Sequence, residues 1–196
     1  MAIADLGSFI NSHYEIREWR HATAVLKNDF PSEWADLMYV LTNFRLLKNY
    51  ISRGGGNRSL VSRRIDGLFE SRGWSEKNFQ TEITVDGNPH PSPTHSVDNF
   101  KNGIAIEVEW NNKDPFFDRD LNNFRLLHQL QVVSVGIIIT RCDELQDIFR
   151  SIDRGSSFGM ATTHMGKLIP KMEGGGAAGC PVLAFGISKA LYEPNQ

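Results

Sequence analysis

The sequence predicts an α/β (α+β) fold with a mixed central sheet flanked by helices, and three consecutive stretches predict it. Val97–Glu109 holds Asn102-Gly103 between two apolar-tending runs, the short-range signature of a hairpin whose type I′ turn needs positive φ at both central residues. Arg119–Val132 follows as a helix with Asp118 as its N-cap and Leu121, Phe124, Leu127 and Leu130 as its apolar stripe. Val133–Thr140 is then an almost unbroken apolar run, the pattern of a strand buried on both faces of a sheet.

At 196 residues the chain suits one domain, residues 1–196, large enough for a substantial core. Apolar residues at 40% and charged residues at 22% are ordinary for a globular protein. A net charge of −2 excludes a bulk electrostatic pull toward nucleic acid, so a DNA partner would need a local basic surface. Cys142 and Cys180 stand in no metal-binding spacing, and no leader pattern or membrane-length apolar run is present; a reduced, cytoplasmic protein without a membrane partner is expected.

In chain order, Tyr14–Trp19 alternates as a strand would and passes into a helical piece around Ala22–Leu26. Pro31-Ser32 starts a helix carrying Trp34, Leu37, Met38, Leu41, Phe44 and Arg45 at three-and-four spacing. Arg53-Gly54-Gly55-Gly56-Asn57 breaks it; no Gly-Lys-Ser/Thr follows, so the glycines are not a phosphate-binding P-loop. Asn57 is the expected cap of the next helix, with Leu60, Val61, Ile65, Leu68 and Phe69 buried up to Gly73. Lys48, Arg53, Arg58, Arg63, Arg64 and Arg72 make this region basic: either a solvated helix face or a contact with phosphate backbone, Arg58 being the candidate. Glu70 is a candidate supplementary acid.

Phe79–Val85 is a strand ending at the Asp86-Gly87 turn, and Asn88–Thr94, with three prolines, is expected to be a loop. His90 and His95 lack the other ligands of a zinc site. Asp143 with Gln146 resembles a capping box opening a helix through Phe149. Residues 151–179 are expected to be loop-rich and to carry DNA contacts, with Thr162, Thr163, His164 and Lys167 as candidates, before Cys180–Ile187 restores a strand.

The acidic hairpin is the chemical centre. A turn at Asn102-Gly103 pairs 101 with 104, 100 with 105, 99 with 106 and 98 with 107, setting Asp98 opposite Glu107. The period of two puts Ala105, Glu107 and Glu109 on one face and Ile104, Ile106 and Val108 on the other. Like charges directly opposed across strands are destabilising, so three carboxylates coexist when a cation neutralises them or one keeps its proton. Oxygen ligands on a rigid strand pair suit Mg²⁺. The competing reading is an exposed hairpin whose outer face is merely acidic. Asn111, Asn112, Lys113 and Asp114 follow at once; Asn reads adenine and Lys reads guanine edges, although an Asn-rich turn has the same composition.

Asp98, Glu107-Val108-Glu109-Trp110-Asn111-Asn112-Lys113-Asp114-Pro115-Phe116 and Asp118-Arg119-Asp120-Leu121-Asn122-Asn123-Phe124 resemble the BglII/BstYI family of type II restriction endonucleases. The similarity runs from Tyr14 through Arg141 and more loosely through Thr162–Leu168. The resemblance implies the restriction-endonuclease-like PD-(D/E)xK fold, a Mg²⁺-dependent homodimer, and cleavage of double-stranded DNA at palindromes with a GATC core, leaving 5′ overhangs. It makes Asp98 and Glu107 metal-binding acids, joined by the Val108 carbonyl, and implies a cognate DNA methyltransferase as functional partner. Val97 stands where the superfamily name expects proline, and Glu109 where it expects lysine. A carboxylate cannot supply lysine's charge, so Glu109 is expected to accept a proton from the attacking water, directly or through the metal shell. The alternatives are a structure-specific repair or recombination nuclease of the same fold, a non-catalytic DNA-binding module, and an unrelated acidic-hairpin protein.

Overall fold

The computed structural model describes residues 2–52, 58–93 and 95–194. After a short 3₁₀ turn, its elements are α1 (Gly7–His13), β1 (Tyr14–Trp19), α2 (Ala22–Asp29), α3 (Pro31–Asn43), β2 (Leu46–Leu47), α4 (Lys48–Ser52), α5 (Leu60–Glu70), β3 (Ser75–Lys77), β4 (Gln80–Val85) and β5 (Asn88–Pro93). Then come β6 (Val97–Lys101), β7 (Ile104–Val108), α6 (Pro115–Gln129), β8 (Val135–Arg141), α7 (Leu145–Ser151), α8 (Met165–Glu173), β9 (Val182–Ile187) and β10 (Tyr192–Glu193).

Six strands form one mixed sheet in the order β1-β9-β8-β7-β6-β3. Its centre is parallel, β7 with β8 and β8 with β9, and its flanks are antiparallel. The parallel neighbours need crossover connections, which α6 supplies between β7 and β8, and α7 with α8 between β8 and β9. Both faces of the central strands are buried, as the apolar run Val133–Thr140 predicts. On one face Ile104, Ile106, Val108, Val135, Ile137 and Ile139 meet the apolar stripes of α2, α3, α5 and α7. On the other, Ala105, Ile138, Val182 and Ala184 meet Phe117, Leu121, Phe124 and Leu127 of α6 and Met165, Leu168 and Met172 of α8. A Cβ on Gly136 would lie 2.3 Å from the Phe124 ring, so α6 can approach β8 this closely only over a glycine.

The hairpin turn and its first three pairs form as predicted. Asn102 and Gly103 have φ of 46° and 84°, and the ladder pairs Lys101 with Ile104, Phe100 with Ala105 and Asn99 with Ile106. Two bonds to α3 brace it: Asn102 Nδ2 donates to Glu33 Oε1 and Lys101 Nζ to Asp36 Oδ2, each at 2.8 Å. Burial alone would raise the Asp36 pKa, but hydrogen bonds from Lys101, Arg72 and Trp74 hold it below the usual value.

Several expectations need correction. Asn88–Pro93 is no loop: it pairs antiparallel with β4 in a separate ribbon. Pro89, Pro91 and Pro93 alternate along β5, so the positions lacking an N–H fall on one edge and leave the other edge to pair. Helix α6 starts at Pro115, a turn before the proposed cap Asp118, with proline in its first turn; it ends at Gln129, leaving Leu130 exposed. Helix α3 stops at Asn43, before Phe44 and Arg45. Asp143 does not cap α7; its carboxylate meets the His164 ring and the Gly166 N–H instead. Within residues 151–179 lies α8, whose Met165, Leu168 and Met172 are buried at helical spacing. The expected cap Asn57 and the glycine run before it lie outside the described residues; Ser59 caps α5, its Oγ accepting from the Ser62 N–H. No described helix is long and apolar enough to cross a membrane.

Candidate active site

The ladder between β6 and β7 stops at Asn99–Ile106, one pair short of Asp98–Glu107. The partner register of β6 slips beside this point, where Ser75 pairs with Phe100 but Lys77 with Val97. Val97 and Phe100 therefore both pack toward the α6/α8 core, and the strand alternation is broken between them. At the break, side chains replace ladder bonds. The Val108 N–H donates to Asp98 Oδ2 at 3.0 Å, and the Asp98 N–H reaches Glu107 Oε2 at 3.4 Å. In an extended strand N–H and C=O of one residue point to the same side, so the Val108 carbonyl also faces the opening that Asp98 fills. The two acids thus meet by crossed contacts instead of as a direct cross-strand pair.

Glu107 is 1% exposed, and its Oε1 is buried without a hydrogen-bond partner. Glu109 is also buried, its N–H donating to the Ile139 carbonyl of β8 at 2.9 Å. Its carboxylate is held from two sides, by Asn112 Nδ2 at 2.6 Å on Oε2 and Arg119 Nη2 at 3.1 Å on Oε1. Arg119 lies over the Phe116 ring and also donates to Asp120 Oδ1 through Nε at 2.9 Å and Nη2 at 2.8 Å. Asp120 is fully buried, and its Oδ2 has no partner.

Burial, reinforced by the charges of Asp120, Asp98 and Glu109, raises the Glu107 pKa well above the ordinary carboxylate value. Burial also raises Glu109, against the hydrogen bond from Asn112 and the charge of Arg119. Asp120 rises through burial and the charge of Glu109. Beside them Arg58 Nη2 lies 2.6 Å from Asp66 Oδ2, without the alignment of a hydrogen bond, and 3.9 Å from Asp98 Oδ1. Asn99 Nδ2 donates to Asp66 Oδ1 at 2.8 Å, and burial pushes Asp66 up to about 6.

Beside these groups opens a cleft of about 440 Å³, with Asp98, Val108, Glu109, Asn112 and Arg119 in its wall and Arg58 at one side. Among the described residues no three His, Cys, Asp or Glu side chains already converge as a complete metal-ligand set. Oxygen donors still dominate the surroundings: four acids, two of them with an orphaned buried oxygen, and a strand carbonyl.

The segment after Glu109 leads out of the cleft. Asn111 turns the chain with φ of 63° and keeps its Oδ1 buried and unpartnered. Asn112 is committed to Glu109, whereas Lys113 is exposed. Asp114 has the Lys167 ammonium 3.7 Å away. Lys113 and Thr162 form an antiparallel bridge, so the two DNA-contact stretches expected separately are joined. Thr163 is buried, its N–H donating to the Asn112 carbonyl at 2.8 Å and its hydroxyl to the Glu109 carbonyl at 3.3 Å. His164 is buried too, with Nδ1 on Asp143 and Nε2 unpartnered. As placed, Thr163 and His164 hold the loop from within, while Lys113 and the half-buried Thr162 and Lys167 lie nearer its surface. Glu70 is exposed at the end of α5; Asp66, one turn earlier, is the acid of that helix that reaches Arg58 and Asn99.

Arg119, Asp120, Asp66 and Asn99 have no assigned role in the sequence reading. Their signal was a polar residue inside an apolar stripe: Asp120 between Phe117, Leu121 and Phe124, and Asp66 between Ile65 and Phe69. A carboxylate at such a position has to be neutralised or partnered.

No curated protein matches the sequence. The family model described as restriction endonuclease BglII/BglIII matches residues 14–187, from β1 to the end of β9. The chain, whose acidic hairpin, crossover helix and buried strand lie inside that match, belongs to the BglII/BglIII family of restriction endonucleases and is a site-specific deoxyribonuclease.

Proposed function

We propose that the protein is a Mg²⁺-dependent type II restriction endonuclease cutting palindromic duplexes with a GATC core, AGATCT- or RGATCY-like, as a homodimer. The products are 5′ overhangs with 5′-phosphate and 3′-hydroxyl ends, and a cognate methyltransferase protects the host's own sites. The observation that carries the reading is Glu107, buried at the strand end with Oε1 unpartnered and within reach of the charges of Asp98, Glu109 and Asp120. Carboxylates that raise one another's proton affinity are stabilised by a cation, and their hard oxygen atoms suit Mg²⁺.

Asp98, Glu107 and the Val108 carbonyl would hold the ion, which when bound lowers the pKa of a coordinated water and neutralises charge developing on the scissile phosphate. Glu109 accepts a proton as the water oxygen attacks phosphorus and the bond to the 3′ oxygen breaks. Burial raises its proton affinity and suits it to that role. Asn112 and Arg119 keep its carboxylate aimed, and Asp120 fixes Arg119. Arg58 and Lys113 supply positive charge for phosphate and base edges at the cleft.

Glu107→Ala and Asp98→Ala are expected to abolish cleavage of plasmid DNA while sequence-specific binding persists in a gel-shift titration. Wild-type cutting by either variant refutes the assignment. Sequencing the ends of cut DNA tests the GATC core and the overhang.

A further inference from the structure

Arg141 closes β8 and is 1% exposed, the largest of the fully buried side chains among the described residues. No described carboxylate forms an ion pair with it. Its guanidinium lies over the Phe149 ring, 5.4 Å from the centroid, and Nη2 donates into the loop that precedes α8. The acceptors are Thr162 Oγ1 at 2.9 Å and, more weakly, the Phe158 and Gly159 carbonyls at 3.3 and 3.4 Å. Phe158 stacks on Phe149 at 4.1 Å, and Trp110, next to Glu109, stands edge-on to both. The far side of the loop pairs with the segment leaving the cleft: Lys113 bridges Thr162, and the Asp114 N–H donates to the Ala161 carbonyl at 3.2 Å.

We propose that Arg141 is a positioning residue for sequence readout, setting from inside the core the register of the 158–163 loop against Asn111–Asp114. Burying a guanidinium with no acid in ion-pair contact is costly, and the loop oxygens are the acceptors that its Nη2 finds, while Nε stays buried without a partner. Displacing the loop strands that charge, so the loop is confined to one position. Lys113, exposed on the bridged segment, inherits that position. Arg141 touches none of Asp98, Glu107, Glu109 or Asp120, and the loop meets Glu109 and Asn112 at their backbone carbonyls through Thr163, so its influence falls more on which sequence is accepted than on phosphodiester hydrolysis.

This inference rests on the reading that Lys113 and its neighbours meet base edges. The test compares kcat/KM on the mapped cognate duplex with that on duplexes carrying one altered base pair, together with kcat at saturating cognate DNA. Arg141→Lys keeps the charge but loses the planar fork, and is expected to lower discrimination about tenfold, the scale of one mismatched base pair, with kcat within about twofold of wild type. Unchanged discrimination, or a kcat loss as large as the loss of discrimination, overturns the proposal. Phe158→Leu loosens the same loop through its aromatic contact and decides by the same criteria if Arg141→Lys does not fold. Lys113→Ala separates the two layers. If it lowers discrimination and Arg141→Lys does not, only the present inference fails; if it leaves discrimination intact, the base-reading assignment fails and takes this inference with it.

Discussion

Glu107, proposed as a metal-binding acid, is a buried carboxylate with an unpartnered oxygen, which costs the fold stability. Its folded-state pKa lies above its ordinary value of 4.5, so its contribution to stability is full below the unfolded pKa and is lost as pH rises through the folded one. Metal-free protein should therefore melt higher as Glu107→Gln than as wild type at pH 8, by about 3 °C or more, and equally at pH 4. Adding Mg²⁺ at pH 8 should raise the wild-type Tm and leave the variant nearly unmoved. Thermal melts of both proteins at the two pH values, with and without Mg²⁺, check this; a wild-type Tm at or above the variant's at pH 8 without metal contradicts it. Glu109 differs from Glu107 in being hydrogen-bonded on both oxygens, which fits a group that must stay aimed rather than one that awaits a ligand.

At the scale of elements, the hairpin β6–β7 is the precision part. Its turn sits at positive φ in both central residues, and a Cβ on Gly103 would meet only ordinary contacts, 3.6 Å from Ser134 Oγ and from the Val132 carbonyl. The cost of Gly103→Ala is therefore conformational, about 1–2 kcal/mol. It should lower Tm by roughly 4 °C, and cleavage should fall further than stability does, because the same turn sets Asp98 beside Glu107. A variant that melts lower yet cuts at the wild-type rate would show the turn to be structural only. Asp120, one turn into α6, carries the same principle across the crossover: a helix chosen to cover β8 with Phe124 also delivers a carboxylate to the strand end.

At the scale of the whole molecule, the acid cluster sits at the carboxyl end of β7, where α6 departs and the ladder with β6 opens. With a net charge of −2, DNA affinity has to come from local features, in the proposed reading Arg58 and Lys113, so binding should weaken steeply with salt while remaining selective. A palindromic target implies a two-fold protein pair. Sedimentation of metal-free protein with a short cognate duplex should give two chains per duplex; one chain per duplex at saturation would exclude the homodimer.

What the sequence determined by itself were the quantities carried by local pattern. The Asn-Gly turn forced positive φ, the period of two assigned faces to β7, the almost unbroken apolar run marked β8 as doubly buried, and the stretches Glu107–Phe116 and Asp118–Phe124 beside Asp98 carried the family resemblance. Local pattern misjudged β5, because three prolines argue against a strand only until their alternation is set against a pairing edge, and α6, because Asp118 looked like a cap while Pro115 had already begun the helix. Tertiary structure alone decided that the ladder breaks before Asp98, that Asp120 joins the carboxylates, and that Thr163 and His164 turn inward while Lys113 faces out. Each of these depends on atoms far apart in the chain, Thr163 on the carbonyl of Glu109 and Asp120 on the carboxylate of Glu109, and burial sets their energies; a sequence shows spacing along the backbone but not which distant groups share a region without water.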